Sequence, residues 1–158
     1  MWGLPTGPIP ATVLKPMVKS AAWFVEQVKP QSPYFLGSMD YEALPFDSNP
    51  LTHCKVRYQY FRDTYEKNPD LKLGGITYSW VLASINALDK AYEQLDRVNI
   101  PVMVFQAGDD NVVDNSAQDK FCERLKEVGN ECETGVPIVM KGARHEIFIE
   151  QDSIRNKA

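Results

Sequence analysis

The sequence predicts an α/β fold, with parallel strands and flanking helices joined to a mostly helical region at the start of the chain. Three observations predict it. Two short apolar runs, "IPVMVFQAG" from Ile100 and "VPIVMKG" from Val136, each end at a glycine. Continuous apolar runs of that length suit strands covered on both faces. Each run is followed by a loop and then a helical pattern, and strand, loop, helix repeated in order builds a parallel sheet. Residues 1 to about 73, by contrast, hold most of the prolines and many of the aromatics.

Taken in order, "GLPTGPIP" reads as a constrained loop, because proline fixes φ and removes a donor. "ATVLKPMVKSAAWFVEQV" places Val18, Ala21, Ala22 and Val25 at helical spacing, with Pro16 expected in the first turn. "QSPYFLGSMDYEALPFDSNP" is rich in turn formers. Its Tyr34, Phe35, Leu36, Tyr41 and Phe46 either face a partner surface or bury one another. "LTHCKVRYQYFRDTYEKNP" reads as an amphipathic helix that includes Cys54, with Asn49 or Thr52 as its cap and Pro69 beyond its end. "TYSWVLASINALDKAYEQLDRV" is a helix whose stripe is Trp80, Ile85, Leu88, Tyr92 and Leu95. After the first strand, "NSAQDKFCERLKEVGN" is a helix capped by Asn115 or Ser116, with Phe121, Leu125 and Val128 on its apolar face and Gly129 closing it. After the second strand, "HEIFIEQDSIRNKA" begins a final helix.

The totals narrow the function classes. The chain has 158 residues, enough for one domain with a sizeable core. Hydrophobic residues make up 44% and the formal net charge is −4, so the chain reads as a soluble globular protein. No Lys/Arg-rich stripe is present, which argues against a nucleic-acid partner, since phosphate binding needs clustered cations. No apolar run approaches the ~20 residues of a membrane span. "MWGLPTGPIP" lacks the basic start and continuous apolar stretch of a signal peptide. Cys54, Cys122 and Cys132 show neither a disulfide framework nor metal-ligand spacing, and so sparse a set fits a reducing compartment.

Functional side chains in a parallel α/β sheet sit just beyond the carboxyl ends of its strands. Two such loops exist here. "AGDDNVVD" carries Asp109, Asp110 and Asp114, and "ARHE" carries His145, one of only two histidines. Parallel strands open both loops at one sheet edge, so an acid and an imidazole can meet there. That pairing suits a carboxylate that orients a general base. Taken singly, the acidic loop reads as a turn or helix cap and the histidine as a cap or core residue. Their order after consecutive strands favours chemistry.

At these residues the sequence resembles the C-terminal part of an α/β-hydrolase, similar to the monoacylglycerol lipase-like and bacterial lysophospholipase group. The resemblance rests on "PVMVFQAG", Asp110 with "NVVD", a helix, and "KGARHEIFIE"; "LGGITYSW" and "ALPFDSNPLTHCKVRY" extend it over almost the whole chain. It implies a partial α/β-hydrolase fold, with residues 1–73 as a cap (lid) region and 74–158 as the C-terminal part of the core. It implies that Asp110 is the triad acid, with Asp109 as fallback, and that His145 is the general base. Asp114 would tether the loop or cap the next helix, Arg144 would lie on the surface, and Glu146 would favour the N-terminal dipole of the last helix. No metal or organic cofactor is implied.

The resemblance also implies a nucleophile in Gly-x-Ser-x-Gly, earlier in the chain than acid and histidine. Ser20, Ser32, Ser38, Ser48, Ser79, Ser84, Ser116 and Ser153 all lack glycines at the required positions. The expectation is therefore the later part of a serine hydrolase, completed by an N-terminal part of the same enzyme and inactive alone. The substrate implied is a lipid-like ester, a lysophospholipid or monoacylglycerol, with the cap aromatics as an acyl-binding wall. A cytoplasmic location follows, peripheral to the inner membrane where such a lipid is met. The alternative is a non-catalytic binding module built on a hydrolase-like scaffold. Peptide or haloalkane cleavage on the same fold is a third reading.

Overall fold

A computed structural model describes residues 11–28 and 33–158. The loop expected over "GLPTGPIP" lies outside the described residues. Two parallel strands, β1 (Phe105–Ala107) and β2 (Ile138–Met140), pair with Gln106 opposite Val139. In chain order the helices are α1 (Ala11–Val28), α2 (Lys55–Lys67) and α3 (Tyr78–Glu93) before β1, α4 (Ser116–Glu127) between the strands, and α5 (Asp152–Arg155) after β2. The parallel pairing and the strand–helix alternation agree with the α/β class expected. No described helix is long and apolar enough to cross a membrane.

The described chain forms two compact units that interleave in sequence. One contains the described residues among 11–43 together with Asn68–Glu93. Here α1 packs on α3, burying Ala22 against a face formed by Val81, Leu82 and Ile85. Lys15 and Lys19 both reach Asp89, a half-exposed cluster worth about 1 kcal/mol at most. Pro16 sits inside α1 rather than in a first turn that starts at Ala11. The α3 stripe is also rotated from the expected one. Trp80 and Leu88 are exposed, whereas Val81 and Leu82 are buried, because α1 rather than a sheet sets which face is covered. Phe35 meets Tyr78 edge to face at 5.1 Å, so this aromatic is partly covered by a neighbour, while Leu36 stays in solvent.

The second unit, Leu44–Lys67 with Gln94–Ala158, carries the sheet. Ala107, Met140, Ala143 and Ile147 form a core against which Phe105, Ile138 and Ile154 pack. The Phe46 and Tyr58 rings meet at a tilt of 59° with centroids 5.7 Å apart, and the Tyr58 hydroxyl donates to the Leu44 carbonyl at 2.7 Å. The strands are shorter than the apolar runs that predict them. Ahead of β1 the first run makes an isolated parallel bridge from Val102 to Cys132, and the Ile138 amide donates to the Val104 carbonyl at 2.8 Å.

Several local expectations differ from the structure. Cys122 on α4 and Cys132 before β2 form a disulfide, which leaves Cys54 as the free thiol among the described residues. Spacing alone hid this pair, because the turn after α4 folds Cys132 back beside the helix. Cys54 itself precedes α2, which begins at Lys55. On α4 it is Cys122 and Leu125 that are buried, and Val128 is exposed. No α-helix follows His145 directly. A short 3-10 turn, Ile147–Ile149, intervenes before α5, so Glu146 does not stand at an α-helix N-terminus.

Candidate active site

The acid loop leaves β1 at Gly108, whose amide donates to the Met140 carbonyl at 3.0 Å. A Cβ at Gly108 would lie 3.0 Å from that oxygen and 3.1 Å from Lys141 Cα, both backbone atoms of the neighbouring strand end. The missing side chain therefore lets the two loops run in contact. Asp109 donates its amide to the Ala143 carbonyl at 2.9 Å and keeps its side chain in solvent.

The next residue turns inward. Asp110 Oδ1 accepts the amides of Val112 at 2.8 Å and Val113 at 3.1 Å, and Oδ2 stands 2.9 Å from His145 Nδ1. The Asp110 side chain is 3% exposed and that of His145 is 28% exposed. Burial alone would raise the Asp110 pKa. The His145 hydrogen bond and the two amides outweigh it and hold the carboxyl below its ordinary value. A carboxylate beside Nδ1 selects the tautomer with the proton on Nδ1. Nε2 is then the ring nitrogen that can take up a proton.

The loop carrying His145 starts with Gly142 at φ +76°, a left-handed position that suits glycine. Ala143 donates back to the Met140 carbonyl at 3.0 Å. Arg144 is not a free surface residue, since its guanidinium donates to the carbonyls of Asn49 at 2.8 Å and Thr52 at 3.3 Å. The amides of His145 and Glu146 donate to the carbonyls of Pro50 and Leu51 at 3.4 and 2.9 Å.

Of the residues singled out in the sequence, Asp110 and His145 come together and Asp109 does not join them. Asp114 caps α4, accepting the Ser116 amide at 3.0 Å and its hydroxyl at 2.9 Å, while Asn115 makes no side-chain cap. Asn115 instead donates to the Ala107 carbonyl at 2.8 Å, and Gln106 donates to Asn115 and Asp119 at 3.1 Å. These bonds tie both ends of the acid loop to β1. A glutamine inside an apolar run was the available signal for them. Just ahead of α2, Thr52 Oγ1 accepts the Cys54 amide at 2.9 Å. Asn49 Oδ1 accepts the amides of Leu51 and Thr52, each at 2.9 Å, shaping the turn that receives Arg144. Sequence reading also passed over Glu150, which is fully buried. No cluster that could hold a metal occurs among the described residues.

Residues 5–152 match the family described as serine aminopeptidase, S33. Lysophospholipase L2 of Escherichia coli is 39% identical over 125 residues, covering 79% of this chain and 37% of that protein. The probable lysophospholipase L2 of Haemophilus influenzae is 30% identical over 122 residues, covering 77% of this chain and 37% of its own. The chain thus spans 37% of the length of these curated relatives.

Proposed function

Because the chain belongs to the serine aminopeptidase S33 family of α/β-hydrolases, we propose that it carries the acid and the base of a serine hydrolase acting on lysophospholipid esters. The observation that carries this reading is the 2.9 Å contact between Asp110 Oδ2 and His145 Nδ1 at the mouth of two parallel strands.

In the proposed reaction a serine hydroxyl attacks the ester carbonyl, and its proton passes to His145 Nε2. Asp110 holds the Nδ1 proton and stabilises the imidazolium that forms. Collapse of the tetrahedral intermediate breaks the ester C–O bond, and His145 returns the proton to the leaving alcohol. Water then repeats the sequence on the acyl-enzyme and releases the fatty acid. The serine would come from a Gly-x-Ser-x-Gly segment outside this sequence, since none of its own serines has that setting. An oxyanion hole is built partly from the amide after the nucleophile, so this chain alone is proposed not to hydrolyse esters.

The lipid substrate is supported by the names of the two relatives, which are lysophospholipases. The family description names an aminopeptidase, so peptide hydrolysis is the second reading. The length-complete enzyme, assayed in parallel on lysophospholipid, monoacylglycerol and an aminoacyl anilide, separates them. Turnover of the lysophospholipid with a silent anilide supports the proposal, and the reverse rejects it. A lysophospholipid is met at a membrane surface, which supports peripheral contact of the protein with a membrane. The Cys122–Cys132 disulfide stands against a reducing compartment, and thiol counting on protein taken directly from cells tests that point.

A further inference from the structure

Glu150 is a fully buried carboxylate for which the proposed reaction has no use. Its Oε1 accepts the Arg144 amide at 2.9 Å and faces His53 Nδ1 at 3.0 Å; its Oε2 accepts the Gln151 amide at 3.0 Å; and the His53 amide lies 3.1 Å from both oxygens. Burial works against its charge, yet the amides of Arg144 and Gln151 and the His53 contacts hold the pKa below the ordinary value. An apolar side chain would fill the same volume without that desolvation cost. What a carboxylate adds is direction. It aims three backbone amides at one point, and one of them belongs to the residue just before His145.

The other bonds of this region act in the same sense. Thr52 Oγ1 donates to the Ile149 carbonyl at 2.8 Å, while Arg144, His145 and Glu146 all donate to the stretch from Asn49 to Thr52. The base is therefore gripped on both sides by a turn distant in sequence, and Glu150 lies where the two segments cross. We infer that Glu150 is a positioning residue for His145, locking the Arg144–Glu146 backbone onto the Asn49–His53 turn so that Nδ1 stays on Asp110. This rests on the reading of Asp110 and His145 as acid and base.

The test is NMR of the chain, following the His145 Nδ1–H resonance and the backbone amides. Glu150→Gln keeps the volume but turns one acceptor oxygen into a donor, so at least one of the gathered amides loses its partner. The expected result is loss of the Nδ1–H resonance and a roughly tenfold or greater rise in amide exchange at Arg144, His145 and Glu146. The Val112 and Val113 amides, held by Asp110, should keep their protection. Retention of the resonance and of exchange rates at all five sites would overturn the inference. Should Glu150→Gln not fold, Glu150→Asp decides, because it keeps the charge but draws the carboxylate back from the three amides. Selective loss of the resonance in that variant supports the inference, and an unchanged spectrum overturns it. A wild-type resonance that survives Asp110→Asn would instead defeat the acid–base reading itself, which keeps the two failures distinct.

Discussion

His145 Nδ1 stands 2.9 Å from Asp110 Oδ2, and the other oxygen of the same carboxylate is held by the amides of Val112 and Val113. The acid is thus fixed by its own loop before it meets the base. A carboxylate held in this way orients an imidazole without swinging to follow it.

The first prediction concerns acid. The Asp110 pKa is lowered in the folded state, so the unfolded chain binds a proton there more readily. Its contribution to stability is fully present above the unfolded value, about 3.9, and is lost as the pH falls through the lower folded value. Urea unfolding at a series of pH values between about 6 and 2 should show wild type losing stability faster than Asp110→Asn over the acidic limb. Parallel curves would mean that the pair adds nothing to the fold.

Gly108→Ala should be poorly tolerated. The new Cβ would press on Met140 O and Lys141 Cα, which are backbone atoms and cannot rotate away. A loss of about 1–3 kcal/mol is expected, the usual range for overpacking. Thermal unfolding checks it, and an unchanged midpoint would mean that the two loops can separate at little cost.

The disulfide gives a third prediction. Denatured, unreduced protein should titrate one thiol, that of Cys54. Reduction, or Cys122→Ser with Cys132→Ser, should cost about 3 kcal/mol, the loop-closure value for so short a loop. Three titratable thiols without reductant would show that Cys122 and Cys132 are not bridged.

Much of this was legible in the sequence where chemistry depends on order along the chain. The two strands, α1, α3, α4 and the acid–histidine pair all follow from apolar period and from the loops that end each apolar run. What was not legible depends on packing between distant segments. Trp80 and Val81 carry no sign of which one α1 will cover. Asn49 and Thr52 have the chemistry of helix caps, yet their backbone carbonyls serve Arg144 while Thr52 Oγ1 binds Ile149. Glu150 resembles an ordinary surface acid until the fold gathers three amides around it. Cys122 and Cys132 pair only because the turn after α4 doubles back.

The most direct measurement is kcat on lysophospholipid for the length-complete enzyme carrying Asp110→Asn, Asp109→Asn or His145→Ala. A fall of roughly 10³–10⁴-fold is expected for Asp110→Asn and at least as much for His145→Ala, because a relay that loses its orienting acid or its base loses most of its rate. Asp109→Asn should stay within about twofold of wild type, in the range of a surface change that leaves the reacting groups alone. Full activity in His145→Ala, or a loss that falls on Asp109 rather than Asp110, would contradict the roles given to Asp110 and His145.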